Sequence, residues 1–138
     1  MPASEYLEGQ ILGHLFRAAT WSKPTALWVG LLLATPEESG GAVEVSAPEY
    51  LRIQRDPSDS NWLVSASGEI SNADAIAFAE PDAEGDDWGP VKAVALFDAD
   101  SGGNMLPYTL LDAPKLVTAG GPLLMFQPGA LKWKMNDL

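Results

Sequence analysis

The stretch from Asp87 to Leu124, DWGPVKAVALFDADSGGNMLPYTLLDAPKLVTAGGPLL, narrows the possible folds more than any other part of the chain. It reads as an apolar strand, an acidic Gly-rich turn, a second apolar strand, a turn containing Pro114 and a third strand. Within it no nucleophile sits beside a base. A hairpin series of this kind specifies a shape, not a reaction.

The rest of the chain extends that pattern. Ser4 to Ala19 reads as a single N-terminal α-helix. Ser4 suits the N-cap, and Glu5 and Glu8 suit the positive end of the dipole. Leu7, Ile11, Leu12, Leu15 and Phe16 recur at helical spacing as one apolar stripe. Gly9 and Gly13 share a face, where they either permit a close backbone approach or are simply tolerated. Beyond Pro24 the period changes. Ala26–Ala34 is an apolar run of strand length, and Thr35–Gly41 is a loop. Val43–Ser46, Tyr50–Arg55 and Trp62–Ser67 are short strand candidates. Ile70–Phe78 is mixed, and Glu80–Asp87 is an acidic loop. Val91–Phe97 reads as a strand, with Val91, Ala93, Ala95 and Phe97 on one side and Lys92, Val94 and Leu96 on the other. Met105–Leu111 is an edge or bulged strand because it holds Pro107. Lys115–Val117, Leu123–Phe126 and Ala130–Met135 close the chain, the last with Leu131, Trp133 and Met135 alternating with Lys132 and Lys134.

Short strands between turns, with 13 Gly and 11 Pro, predict a mainly-β protein. The expected architecture is an antiparallel β-sandwich, jelly-roll-like, with one N-terminal α-helix. At 138 residues the chain is expected to be a single domain, 1–138. The helix would cover about 4–19 and the sandwich about 26–136. No repeat, heptad run or low-complexity tract is present.

Charge excludes several functions. Eight Lys and Arg stand against 19 Asp and Glu, a formal net charge of −11. Such a surface repels phosphate backbones and anionic bilayers, so neither direct nucleic-acid binding nor membrane binding is expected. With no cysteine there is no disulfide and no thiolate chemistry. The N-terminus lacks a basic segment followed by an apolar core, so a chain made in the cytoplasm is expected.

Candidate sites were weighed against plain structural readings. Asp98, Asp100 and Asn104 in DADSGGN stand where a calcium loop would place ligands. The fifth position of that loop is Gly102 and the twelfth is Thr109, so the segment reads as a hairpin tip with, at most, a crude surface calcium site. No cofactor is expected. The carboxylates of Glu80, Asp82, Glu84, Asp86 and Asp87 suit a cation or an acid/base pair, yet acidic loops are usually solvated. His14 is the only histidine, and no serine lies in a G-x-S-x-G elbow, so the chain is not expected to be an enzyme. Trp28 and Trp133 fall in strands and read as core. Trp21, Trp62 and Trp88 fall at loop edges, where they serve either as interface or sugar-stacking residues or as core caps.

Three segments, taken together in order, carry a family resemblance. The first is S-E-Y-L-E-x-x-I-L-x-H-L, running on to T-A-L-W-V-G-L-L. The second is G-x-I-S-N-A-x-x-I-x-F from Gly68 to Phe78. The third is D-W-G-x-V-x-A-V-A-L-F-D-A-x-S-G-G-N-x-L-x-Y from Asp87 to Tyr108, followed by P-K-x-V-x-A-G. The chain thereby resembles small tailed-bacteriophage virion proteins labelled tail-fibre-like. The resemblance implies a non-enzymatic structural role on the virion, supplies no catalytic residues, and implies other virion proteins as partners: the major capsid protein or tail proteins. Homo-oligomeric contacts are also expected, because sheet edges and virion symmetry favour them. A fibre shaft needs a repeat that this chain lacks, so the sequence favours a capsid decoration or cement protein. A tail-fibre or tail-tip adaptor with a receptor- or carbohydrate-binding role is the alternative.

Overall fold

A computed structural model of the chain describes residues 3–37 and 42–134. Its elements in chain order are α1 (Glu5–Phe16), β1 (Trp28–Leu32), β2 (Ile53–Gln54), β3 (Trp62–Val64), β4 (Ile70–Asn72), β5 (Ile76–Ala77), β6 (Gly89–Phe97), β7 (Met105–Val117), β8 (Met125–Phe126) and β9 (Lys132–Trp133). All strand pairings among them are antiparallel. The fold is mainly β with one N-terminal helix, as the sequence predicts. The described strands form three sheets rather than two: β2-β1-β6-β7, β3-β4-β9 and the small β5-β8 ladder.

The helix starts where the sequence signals it. The Ser4 hydroxyl oxygen accepts from the Leu7 N–H at 3.2 Å and donates to the Met105 carbonyl at 2.5 Å, so one side chain caps α1 and ties it to β7. The helix ends at Phe16, three residues short of the expected Ala19. The Arg17 N–H bonds to the Gly13 carbonyl and the backbone turns extended. The reason lies in burial. Leu7 is buried, but Leu15 and Phe16 are 68% and 75% exposed, so further turns would have no core to pack on. The predicted stripe is therefore used only in its first half. Gly9 and Gly13 serve no close approach, since a Cβ on Gly9 would meet nothing within 4 Å and one on Gly13 only Ala19 at 3.6 Å.

The main sheet buries both faces. Val29, Leu31, Val91, Val94, Leu96 and Leu106 belong to the large core, with Trp88 just before β6 and with Ile76, Phe78, Phe126, Leu131 and Trp133 packing from or beside the strands of the smaller sheets. The opposite face carries Leu32, Ala93, Ala95, Phe97, Met105 and Tyr108. This corrects the expected alternation of β6, which put Val91 on the side of Ala93. The ladder runs Val91↔Lys115 and then Ala93↔Leu110, so a bulge intervenes and turns Val91 to the side of Val94 and Leu96. Lys115–Val117 pair with Gly89–Val91 beyond that bulge, so the turn expected at Pro114 is absent and the two strands expected on either side of it are one, β7.

The remaining predicted strands shorten or reduce to bridges. Val43–Ser46 contributes one bridge, Leu32↔Glu44, flanked by Leu33 N–H to Val43 O and Val45 N–H to Leu31 O. Pro107 lies on an edge strand, as predicted, where Ala3 bridges it and the Ser4 N–H reaches the Leu106 carbonyl. Met135 and residues 38–41 of the predicted loop lie outside the described residues. No helix among those described is long and apolar enough to cross a membrane.

Candidate functional site

The predicted site residues do not converge. Trp88, expected at a loop edge, is 3% exposed and belongs to the core. Its indole N–H donates to Glu49 Oε1 at 2.7 Å, and its ring meets Tyr50 edge-on. Gly89 gives the chain its turn into β6 directly after it, with φ of 97°, so Trp88 stands at the start of a strand and not in solvent. The Asp98 carboxylate closes its own hairpin: Oδ1 accepts from the Asn104 N–H at 2.7 Å and Oδ2 from the Asn104 side-chain amide at 2.9 Å. Asp100 is exposed at the tip. Gly103 has φ of 70°, and a Cβ there would lie 2.5 Å from Asp98 Oδ1, so this closure requires glycine. The five acids of the 80–87 loop are all exposed. Two of them brace loop backbone: Asp82 Oδ1 accepts from the Glu84 N–H and Asp87 Oδ1 from the Ala119 N–H. His14 is exposed, and its Nδ1 accepts from the Trp21 N–H.

Trp62 is different, because the fold gathers other residues around it. The register of β3-β4-β9 pairs Val64 with Ile70 and Ile70 with Trp133, and Trp62 stands two residues from Val64 on the same face. These four side chains form one wall of a groove of about 670 Å³. Leu7, Leu27, Leu96 and Pro107 also line it. The wall is rigid. Trp62 and Trp133 meet edge-on with centroids 5.5 Å apart, and the Trp62 indole N–H donates to the Arg55 carbonyl at 3.3 Å. Lys23, Ser58, Asp59, Ser67 and Lys134 supply the polar part of the lining. The Trp133 indole N–H is buried and has no hydrogen-bond partner among the described residues. Trp21 is half-buried against the core and does not line this groove.

The model of the family described as podophage GP4 fiber I protein gp80 matches residues 2–134. The chain belongs to that family. Membership makes it a bacteriophage virion component of fibre type. No curated protein matches it. The match runs through α1, all three sheets and the groove, so the gp80 fibre family owns the fold as a whole and not one motif of it.

One feature of this gp80 fibre family member escaped the sequence reading. Arg52, within the Tyr50–Arg55 strand candidate, is buried. Its Nη1 donates to the carbonyls of Ala99 at 2.7 Å and Gly102 at 3.0 Å, so it grips the tip of the β6–β7 hairpin from 47 and 50 residues away. Glu44 is its ion-pair partner, and Tyr50 donates its hydroxyl to the same carboxylate at 2.6 Å. Burial pushes the Tyr50 phenol well above its usual range, so it stays a donor. The only sequence signal was a spacing of alternate residues, Tyr50 and Arg52, and it named no partner.

Proposed function

We propose that the protein is a non-enzymatic structural component of the tail-fibre apparatus, joined to other virion proteins, and not a head-decoration protein. The observation that carries this is the family match, which spans nearly the whole chain and names a fibre. The side chains agree with a structural role. The Asp98 carboxylate is spent on a hairpin, Glu44 on Arg52, and Glu49 on Trp88 and the Asp82 N–H. The exposed end of α1, with Leu12, Leu15 and Phe16, offers apolar surface of the kind that protein contacts cover.

Location on the particle tests this reading. Gold-labelled antibody against the protein is expected at the tail of purified particles, with a handful of copies by quantitative peptide counting. Label spread over the head, with hundreds of copies, would restore the decoration reading.

A further inference from the structure

We propose that the groove between the β3-β4-β9 wall and the α1 side of the molecule is a binding site for an acidic oligosaccharide. The proposal deepens the fibre reading by naming a ligand class, and rests on it only for where such a ligand would be met.

Three observations support it together. The first is size and lining. About 670 Å³ falls in the range of small-molecule sites, and the lining is apolar with a few polar groups. A saccharide has that same division, with C–H faces that pack on an aromatic ring and hydroxyls around the rim. Trp62, half-exposed and fixed by Trp133 and the Arg55 carbonyl, supplies a ring already in place. Ser58, Ser67 and Asp59 supply hydroxyl and carboxylate partners for sugar hydroxyls.

The second observation is charge. The chain has 8 cations against 19 acids, yet this groove is lined by Lys23 and Lys134 against Asp59 alone. Both lysines are exposed and take part in no ion pair among the described residues. An acidic chain with a locally cationic groove selects anionic occupants there and repels them elsewhere. The third is Trp133. Buried indole N–H groups are ordinarily paired, and this one, in a residue that lines the groove, has no partner among the described residues. A nucleic acid would offer anionic groups too, but its extended phosphate backbone would lie against a surface of net charge −11.

The experiment is an oligosaccharide array carrying uronic- and sialic-acid glycans beside neutral ones, probed with the purified full chain. Hits are followed by tryptophan fluorescence titration. Retention by one or more acidic glycans and by no neutral glycan is expected. Lys23→Glu and Lys134→Glu lie at exposed positions and should keep the far-UV spectrum and melting temperature while weakening binding about tenfold each. Trp62→Ala should abolish it. Because Trp62 also supports Trp133, the lysine variants keep the test valid if that variant fails to fold. Three results would overturn the proposal: no acidic glycan bound by the folded chain, equal retention of neutral glycans, or binding indifferent to both lysine variants. Dodecanoate, titrated in parallel, separates the apolar alternative, since saturation by it without competition from any glycan also overturns the proposal. Tail labelling with a blank array would remove the saccharide and leave the fibre role standing; head labelling with acidic-glycan binding would do the reverse.

Discussion

Arg52 and Glu44 face each other through two parallel hydrogen bonds, Nε to Oε2 and Nη2 to Oε1, each 2.8 Å long. The guanidinium also lies 3.6 Å from the centre of the Phe97 ring. The two side chains are 5% and 24% exposed, so the pair is largely dry. Its geometry is of the kind that repays desolvation, since each guanidinium nitrogen is hydrogen-bonded and one face lies on Phe97.

Removing the cation alone should therefore be costly. Arg52→Met leaves the Glu44 carboxylate with no cation, only the Tyr50 hydroxyl, and two hairpin carbonyls without their donor, and is expected to lower unfolding free energy by about 3 kcal/mol. Urea denaturation measures it. The double variant Arg52→Met with Glu44→Met should regain part of that loss, because it leaves no uncompensated charge. A double variant as unstable as the sum of the single ones would mean that the pair is not coupled.

Gly30 stands where this cluster meets β1. A Cβ there would lie 2.8 Å from Phe97 Cε2 and 2.9 Å from Glu44 Oε2. Gly30→Ala is expected to destabilise by about 2 kcal/mol through overpacking, although alanine is ordinarily the better strand residue. Thermal melting of Gly30→Ala beside Gly9→Ala makes the comparison, since the added methyl at Gly9 meets nothing.

Asn72, at the end of β4, holds the segment between β8 and β9 in place. It is 1% exposed; its side-chain amide donates to the carbonyls of Asp74 and Gln127, each at 2.9 Å, and its side-chain oxygen accepts from the Leu131 N–H at 3.0 Å. Asn72→Leu fits the volume and orphans three backbone groups, so a loss of about 3 kcal/mol is expected in chemical denaturation. Amide exchange at Leu131 should accelerate in the same variant.

Acid should loosen the Trp88 corner. Hydrogen bonds from the Trp88 indole and the Asp82 N–H hold the Glu49 carboxyl below its ordinary value of 4.5. A depressed folded-state value means that this contribution is fully present above the ordinary value. It is lost as pH falls through the folded one. The Trp88 indole proton resonance is expected to shift only below the ordinary carboxyl value of 4.5, and Glu49→Gln should remove that shift. A shift centred at neutral pH would contradict the assignment.

The strand-and-turn character of the chain was legible because Gly, Pro and period-two patterns are local. The helix start was legible at Ser4 for the same reason. What the sequence concealed is non-local. Val91 changes face because of a bulge whose extra residues sit in the partner strand. Trp88 is buried because Glu49, 39 residues earlier, accepts its N–H. The α1 stripe looked uniform, but only the end nearest β7 has something to pack against. Trp62 was named from its place at a loop edge, whereas its companions Trp133, Lys23 and Lys134 become neighbours only through the β3-β4-β9 register and the path of the chain before β1.

The link from Ser4 to Met105 spans 101 residues. Its consequence is one of timing. The helix cap and the strand that receives it cannot meet until most of the chain has been synthesised, so α1 must wait, half-amphipathic and undocked, while the hairpins form. Contacts of such long sequence separation slow folding. Docking of α1 onto β7 is therefore expected among the last steps of folding.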